Sequence, residues 1–304
     1  MGQLAQLVQS IWFTPRGSGV RIPHCPQKST PLSGFFFEKS QMIETIGYFL
    51  TIAIGIVLGL LGGGGSILAV PLLVYFFDIE TQLATTYSLF IVGISAVFGV
   101  SQAVAKKTIH IKSALIFAIP SIFSLLIVRK IVLPKIPNSF ILINEFVILK
   151  NTLLITIFAI LMIVSATFMI RKKTIESNMD RLISYQKLSV IGFCVGNIIG
   201  LLGAGGGFLI VPALVFFAKL DMKQAVATSL LIIAINSLIG FGSDIVTHVP
   251  IDFRLLSKLA ALAILGMFIG SAVAKKISSA QLKPIFGWFV LLMGIAIVAK
   301  EFFK

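Results

Sequence analysis

Charged residues along this chain are confined to short clusters, and long stretches without Asp, Glu, Lys or Arg run between them. These are Thr45–Phe77, Thr81–Ala105, Ser113–Val128, Asn151–Ile170, Leu188–Ala218, Gln224–Ser243, Leu259–Ala274 and Pro284–Ala299. A helix that crosses a bilayer needs about 20 apolar residues, so most of these stretches predict one helix each. Thr45–Phe77 and Leu188–Ala218 exceed 30 residues and must each do more than cross once.

Both long stretches are interrupted in the same way. "GLLGGGGSILAVPLLVYFF" from Gly59 places a glycine run and Pro71 inside an apolar segment, and "GLLGAGGGFLIVPALVFFA" from Gly200 does the same with Pro212. In a soluble helix, glycine costs about 1 kcal/mol and proline about 3 kcal/mol relative to alanine, so a plain lipid anchor has no use for them. Ser66–Phe77 holds 12 residues, about 18 Å of helix at 1.5 Å per residue, against roughly 30 Å of hydrocarbon. It is too short to span upright. The apolar pieces on either side of the glycines are therefore expected to form two arms of a broken or hairpin element that turns inside the membrane, where irregular backbone is tolerated only under protein or beside a water-filled cavity.

Composition sets the class. The chain of 304 residues is 57% hydrophobic and 12% charged, with a mean hydropathy of +1.04. This predicts an all-α polytopic membrane protein with about 8–10 membrane segments. The formal charge of +14 does not point to nucleic acid, because the basic residues sit in clusters at segment ends, such as Lys106-Lys107, Arg171-Lys172-Lys173 and Lys275-Lys276. Such clusters fit the positive-inside bias of a multi-pass protein of the inner (plasma) membrane. Cys25 and Cys194 lie in unlike surroundings and suggest neither a disulfide framework nor a metal cluster. No cofactor motif is present: neither glycine run is followed by the lysine of a phosphate loop, and the spacing of a dinucleotide fingerprint is absent.

The two interrupted segments match at a fixed step. Gly59, Leu60, Leu61, Gly62, Gly64, Gly65, Pro71, Leu73, Val74 and Phe76 recur 141 positions later, and one residue out of step Thr86 aligns with Thr228. The chain therefore reads as two homologous halves, 43–175 and 185–304, with roughly ten extra residues in the first half, placed in the Pro134–Lys150 connection. Five segments per half is an odd number, which predicts inverted repeats; a broken element that crosses only once makes the repeats parallel instead. On the inverted count, Lys106, Lys107, Lys112, Arg171, Lys172, Lys173, Arg181, Lys219, Lys223, Lys275, Lys276 and Lys283 share the cytoplasmic face. Arg129, Lys130, Lys135 and Lys150 fall on the external face, against the rule.

Candidate chemistry follows from the breaks. Glycine permits positive φ and close approach of a ligand to the backbone, and the helix after each break presents unpaired N–H groups and a positive dipole end, which favour an anion. The substrate-binding candidates are Gly62, Gly63, Gly64, Gly65, Ser66 and Pro71 in the first half, with Gly203, Gly205, Gly206, Gly207 and Pro212 in the second. Thr86, Ser88, Thr228 and Ser229, at the start of the segment after each break, and Asn236, deep in an apolar run, complete the set. The competing reading is structural: small residues pack helices closely, and Ser or Thr in a membrane helix bonds its own backbone. None of the uncharged stretches carries a carboxylate that could relay protons.

The duplicated "GLLGGGGSILAVP" and "GLLGAGGGFLIVP", each followed by a Gln-Leu-Ala-Thr or Gln-Ala-Val-Ala-Thr-Ser stretch, resemble the TauE/SafE sulfite-exporter family of membrane transporters, over nearly everything after Met42. The resemblance implies export or uptake of a small anion, sulfite or a related organosulfur or carboxylate species, by alternating access, with the lipid bilayer and that anion as partners. Departures are the Thr85-Thr86-Tyr87-Ser88 stretch, where the second half has Ala227-Thr228-Ser229, and the basic segment around Arg129, Lys130 and Lys135. A membrane-embedded enzyme needs a nucleophile, metal cluster or acid–base pair at depth, and Cys194 alone does not make one; an anion channel or scaffold is the remaining alternative. Residues 1–41 lack a signal-peptide core. Ala5–Gln27 resembles the translation of an upstream transfer-RNA gene, which makes Met42 the expected start and 1–41 a non-native extension; a disordered tail is the alternative.

Overall fold

The computed structural model describes the chain except residues 1–30, 64, 106, 133–134, 136–138, 142–146, 172–184, 203–205, 247–250 and 303–304. The chain divides into two units, Met1–Ser40 and Gln41–Lys304, and the architecture below belongs to the second. Ten α-helices are described, in the order α1 (Pro31–Leu61), α2 (Gly65–Phe76), α3 (Thr81–Ala105), α4 (Ile111–Ile127), α5 (Lys150–Arg171), α6 (Tyr185–Leu202), α7 (Gly207–Phe217), α8 (Met222–Ile245), α9 (Phe253–Lys276) and α10 (Ser279–Phe302). A π-helical turn, Val128–Val132, prolongs α4.

Six helices among the described residues contain segments long and apolar enough to cross a membrane: Glu44–Leu61, Leu83–Val104, Ile111–Val132, Met222–Ile245, Phe253–Lys276 and Ser279–Ala299. The protein is an all-α polytopic membrane protein. Among the described residues the strands are a hairpin of two three-residue segments, β1 (Ser139–Ile141) and β2 (Val147–Leu149), paired antiparallel inside the α4–α5 connection.

The hairpin reading of the glycine-interrupted segments is met in the first half. α1 and α2 fold back on each other: a Cβ on Gly65 would lie 2.9 Å from Leu58 N, and at the far end the rings of Tyr48 and Phe77 stack edge to face at 5.3 Å. α2 and α7 then end alike. Asp78 and Lys219 adopt φ of 52° and 56°, and Ile79 N–H donates to Leu73 O (3.2 Å) as Leu220 N–H does to Leu214 O (3.3 Å). In each, a residue in the left-handed region ends the helix and the next N–H reaches back six residues to a carbonyl of the last turns, and the paired residues are 141 positions apart.

Glycines set the close crossings. A Cβ on Gly55 of α1 would stand 2.9 Å from the Ala263 carbonyl carbon, and one on Gly59 2.8 Å from Ser271 N, so α1 and α9 run parallel with backbones in contact. α6 lies on α4 in the same way, Gly196 facing Ser121 Cα at 2.7 Å and Gly200 facing Val128 Cβ at 2.8 Å. Small residues at such positions replace the hydrophobic driving force that lipid removes.

α3 and α8 cross antiparallel at the centre, with Gly93 over Ser237 and Gly240 under Leu89. α5 and α10 are also antiparallel, Gly287 meeting Met169 and Gly294 meeting Met162. Of the Met222–Ile245 span, 72% is buried inside the protein, against 28% of Ser279–Ala299; α8 is thus the central element and α10 a peripheral one. Trp288 and Leu292 of α10 are exposed, as befits a face turned to acyl chains.

Candidate functional site

The first glycine turn is held by hydroxyls. α1 ends where Gly62 takes φ +72°, with Gly62 N–H bonded to Leu58 O at 2.8 Å. The carbonyls released by the break are capped: Ser229 Oγ of α8 donates to Gly62 O at 2.8 Å, and Ser66 Oγ donates to Gly63 O at 2.8 Å. Both serines are fully buried. A buried carbonyl without a donor costs about 1–3 kcal/mol, so each hydroxyl stabilises backbone that the glycine run has freed. Ser229 Oγ also lies 2.8 Å from Val226 O on its own helix.

In the second half Gly206 takes φ +61° as the N-cap of α7, and its carbonyl accepts from Leu209 N–H at 3.0 Å and Ile210 N–H at 3.2 Å. The two turns touch. A Cβ on Gly63 would lie 2.5 Å from Gly207 Cα, and one on Gly207 2.7 Å from Ile233 Cδ1. Ile233 stands midway along α8, so the two breaks meet backbone to backbone near the middle of the central helix. Pro71 lies inside α2 and Pro212, buried, inside α7. Gly64, Gly203 and Gly205 lie outside the described residues.

Ser229 apart, the hydroxyl candidates of the following helices do not converge on this point. Thr86, near the start of α3, donates to Asp244 Oδ2 at 2.8 Å. Thr228, near the start of the antiparallel α8, accepts the His110 N–H at 3.1 Å. The two threonines therefore mark opposite ends of the α3–α8 pair. Ser88 is completely buried and its Oγ has no partner among the described residues. Asn236 is likewise buried; its Nδ2 donates to Ser121 Oγ of α4 at 2.8 Å, and its Oδ1 is unpartnered among the described residues.

An ion pair lies at the Thr86 end. Arg129, in the π-helical turn after α4, bonds Asp244 Oδ2 through Nη1; the side chains are 7% and 19% exposed. Close to the same end of the molecule, Glu44, Tyr48, Phe77, Asp252, Arg254, Leu255 and Lys258 line a cleft of about 300 Å³. Tyr87 accepts the Asp252 N–H there at 2.6 Å. Asp252 Oδ1 in turn accepts from Arg254 N–H and Leu255 N–H and caps α9.

A family model described as sulfite exporter TauE/SafE matches residues 48–297. The chain belongs to the TauE/SafE sulfite exporter family. It is similar to proteins described as probable membrane transporters. One from Xylella fastidiosa (strain 9a5c) is 28% identical over 81% of this chain and 91% of its own length. One from Methanocaldococcus jannaschii is 27% identical over 81% of this chain and 93% of its own. One from Bacillus subtilis (strain 168) is 28% identical over 85% of this chain and the whole of its own. No solved structure matches the chain. The TauE/SafE family and these relatives identify a multi-pass membrane transporter.

The buried contacts of Arg129, Asp244, Ser121 and Tyr87 in this TauE/SafE chain were not expected from the sequence. A signal for the first two was present: Arg129 directly follows the uncharged run Ser113–Val128, and Asp244 directly follows Gln224–Ser243. Opposite charges one residue beyond two comparable runs are placed to meet if the helices run parallel. Asn236–Ser121 and Asp244–Arg129 advance together along α8 and α4, so these helices do.

Proposed function

We propose that this protein is a secondary transporter of a small oxyanion, sulfite or a related organosulfur or carboxylate anion, in the plasma membrane, working by alternating access between two inverted repeats, α1–α5 and α6–α10. The observation that carries the reading is the meeting of the two glycine turns at Gly63 and Gly207, near mid-span. Broken helices paired at mid-depth are the usual site architecture of secondary transporters. In this conformation the turns are closed on each other, so passage requires them to part. An anion would then meet backbone at Gly62, Gly63, Gly65, Gly206 and Gly207, with Ser66, Ser229 and Asn236 close by along α2 and α8.

Inversion is supported by direction. α3 and α8 hold corresponding places in the two halves and run antiparallel, as do α5 and α10; repeats related by an axis along the membrane normal would run such pairs parallel. Orientation is supported by charge. Lys112 lies 4.5 Å over the Tyr185 ring, which sets the start of α4 beside the start of α6, and Lys283 lies 5.8 Å from the Phe216 ring, which sets the start of α10 beside the end of α7. These are helix ends that the inverted count assigns to one basic face. Arg129, counted against that orientation in the sequence, is withdrawn into an ion pair, which strengthens the bias of this face toward the cytoplasm.

Expelling one negative charge from a cell negative inside is favourable by about 2.3 kcal/mol per 100 mV. Export could therefore run without a buried proton carrier. The test is uptake of radiolabelled sulfite, sulfate and acetate into proteoliposomes holding the full chain, with an imposed potential. Saturable flux of one anion supports the reading. Flux that rises linearly without saturation would make the protein a channel, and absence of flux for every anion would refute the assignment.

A further inference from the structure

We propose that the Arg129 guanidinium is a second anion site, at the α3–α4–α8 junction, and that the Asp244 carboxylate occupies it as a built-in surrogate for the transported oxyanion. The inference rests on the anion-transport reading and adds to it a residue that takes the charge of the substrate away from the glycine turns.

Three observations carry it. Arg129 lies within a candidate membrane span with its side chain only 7% exposed. Holding a guanidinium there is costly unless an anion stands against it. Second, its pairing is incomplete. Asp244 engages Nη1, while Nε is buried without a partner among the described residues. A guanidinium offers a fork that matches two oxygens of a carboxylate, sulfite or sulfonate, and here Nε of that fork is uncommitted among the described residues. Third, the carboxylate has somewhere to go. Oδ2 accepts from Thr86 Oγ1 as well as from Arg129, so Asp244 can release the arginine and keep the threonine. Arg129 also sits in the π-helical turn Val128–Val132, an irregularity frequent at functional sites.

The exchange conserves charge pairing. An incoming oxyanion takes Arg129, Asp244 withdraws onto Thr86, and on release the carboxylate returns. No bond other than hydrogen bonds is made or broken. A pair that serves only to staple α4 to α8 makes the opposite forecast, because then both partners matter equally and neither responds to anions.

Thermal unfolding of the purified full chain is followed while sulfite, sulfate or acetate is titrated, for the wild type, Asp244→Asn and the double variant Arg129→Gln/Asp244→Asn. The double variant replaces the pair by neutral side chains of similar shape, so it avoids leaving a lone buried charge. Asp244→Asn removes the competing carboxylate and is expected to lower the half-saturating concentration of the stabilising anion about tenfold, the equivalent of 1.4 kcal/mol. The double variant is expected to fold and to lose the anion-dependent stabilisation at this site. Equal midpoints in wild type and Asp244→Asn, an unchanged response in the double variant, or no stabilisation of Asp244→Asn by any of the three anions would each overturn the inference. Flux in proteoliposomes separates the two readings: transport with unchanged midpoints discards the Arg129 site alone, and anion binding at Arg129 without transport discards the transporter reading alone.

Discussion

Gly63 and Gly207, 144 positions apart in the chain, stand so close that a Cβ on Gly63 would lie 2.5 Å from the Gly207 carbonyl carbon. Only two glycines allow this approach. The contact closes the two broken elements on each other, and it makes small changes there large in effect.

Replacing Gly63 by alanine forces the two backbones apart. Overpacking of this kind costs about 1–3 kcal/mol, and flux should fall at least ~10-fold, the equivalent of 1.4 kcal/mol, while the protein still reaches the membrane. Sulfite flux per molecule of folded protein, compared with wild type, is the measurement. Unchanged flux at equal abundance would separate the turns from transport.

Gly206 carries a different constraint. At φ +61° a β-branched residue pays about 1–2 kcal/mol for the left-handed backbone, and its Cβ would collide with Ile199 Cγ1. Gly206→Val is therefore expected to be worse than Gly206→Asn, since asparagine tolerates this region. Ranking the two variants by thermal unfolding checks the backbone argument, and an equal loss in both would contradict it.

Two hydroxyls tie the start of a helix in one half to the other half: Tyr87 accepts Asp252 N–H at 2.6 Å and Thr228 accepts His110 N–H at 3.1 Å. Tyr87→Phe and Thr228→Val should each destabilise the protein by about 1 kcal/mol, the net worth of a typical hydrogen bond. Because the two sites lie at opposite ends of α8, the double variant should show the sum of the two losses. A marked departure from additivity would mean that the ends communicate.

Orientation is checked by labelling from outside the cell in a background lacking Cys25 and Cys194. A cysteine at exposed Glu80, in the α2–α3 connection, should react, and one at exposed Lys276, at the end of α9, should be protected. Reaction at Lys276 with protection at Glu80 would reverse the assignment, and reaction at both would remove the inverted arrangement.

Which features could be read from the chain depends on the range of the interaction behind them. The membrane class, the breaks at the two glycine runs and the shortness of α2 and α7 were legible because they follow from local composition, backbone freedom and rise per residue. The match between Gly59–Phe77 and Gly200–Ala218 was legible because it is a comparison of the sequence with itself. Side-chain roles were harder to see. A membrane helix is apolar toward lipid and toward its neighbours alike, so periodicity does not reveal which face is buried. Ser66 and Ser229 stood out as polar atoms at depth, and only the fold directs their hydroxyls to the carbonyls of Gly63 and Gly62. The sequence alone predicted that the backbone breaks twice within long apolar segments. The tertiary structure decided that the turns meet at Gly63 and Gly207, and that Arg129 finds Asp244 across 115 positions, because contacts between distant segments depend on how helices cross, and no local pattern records that.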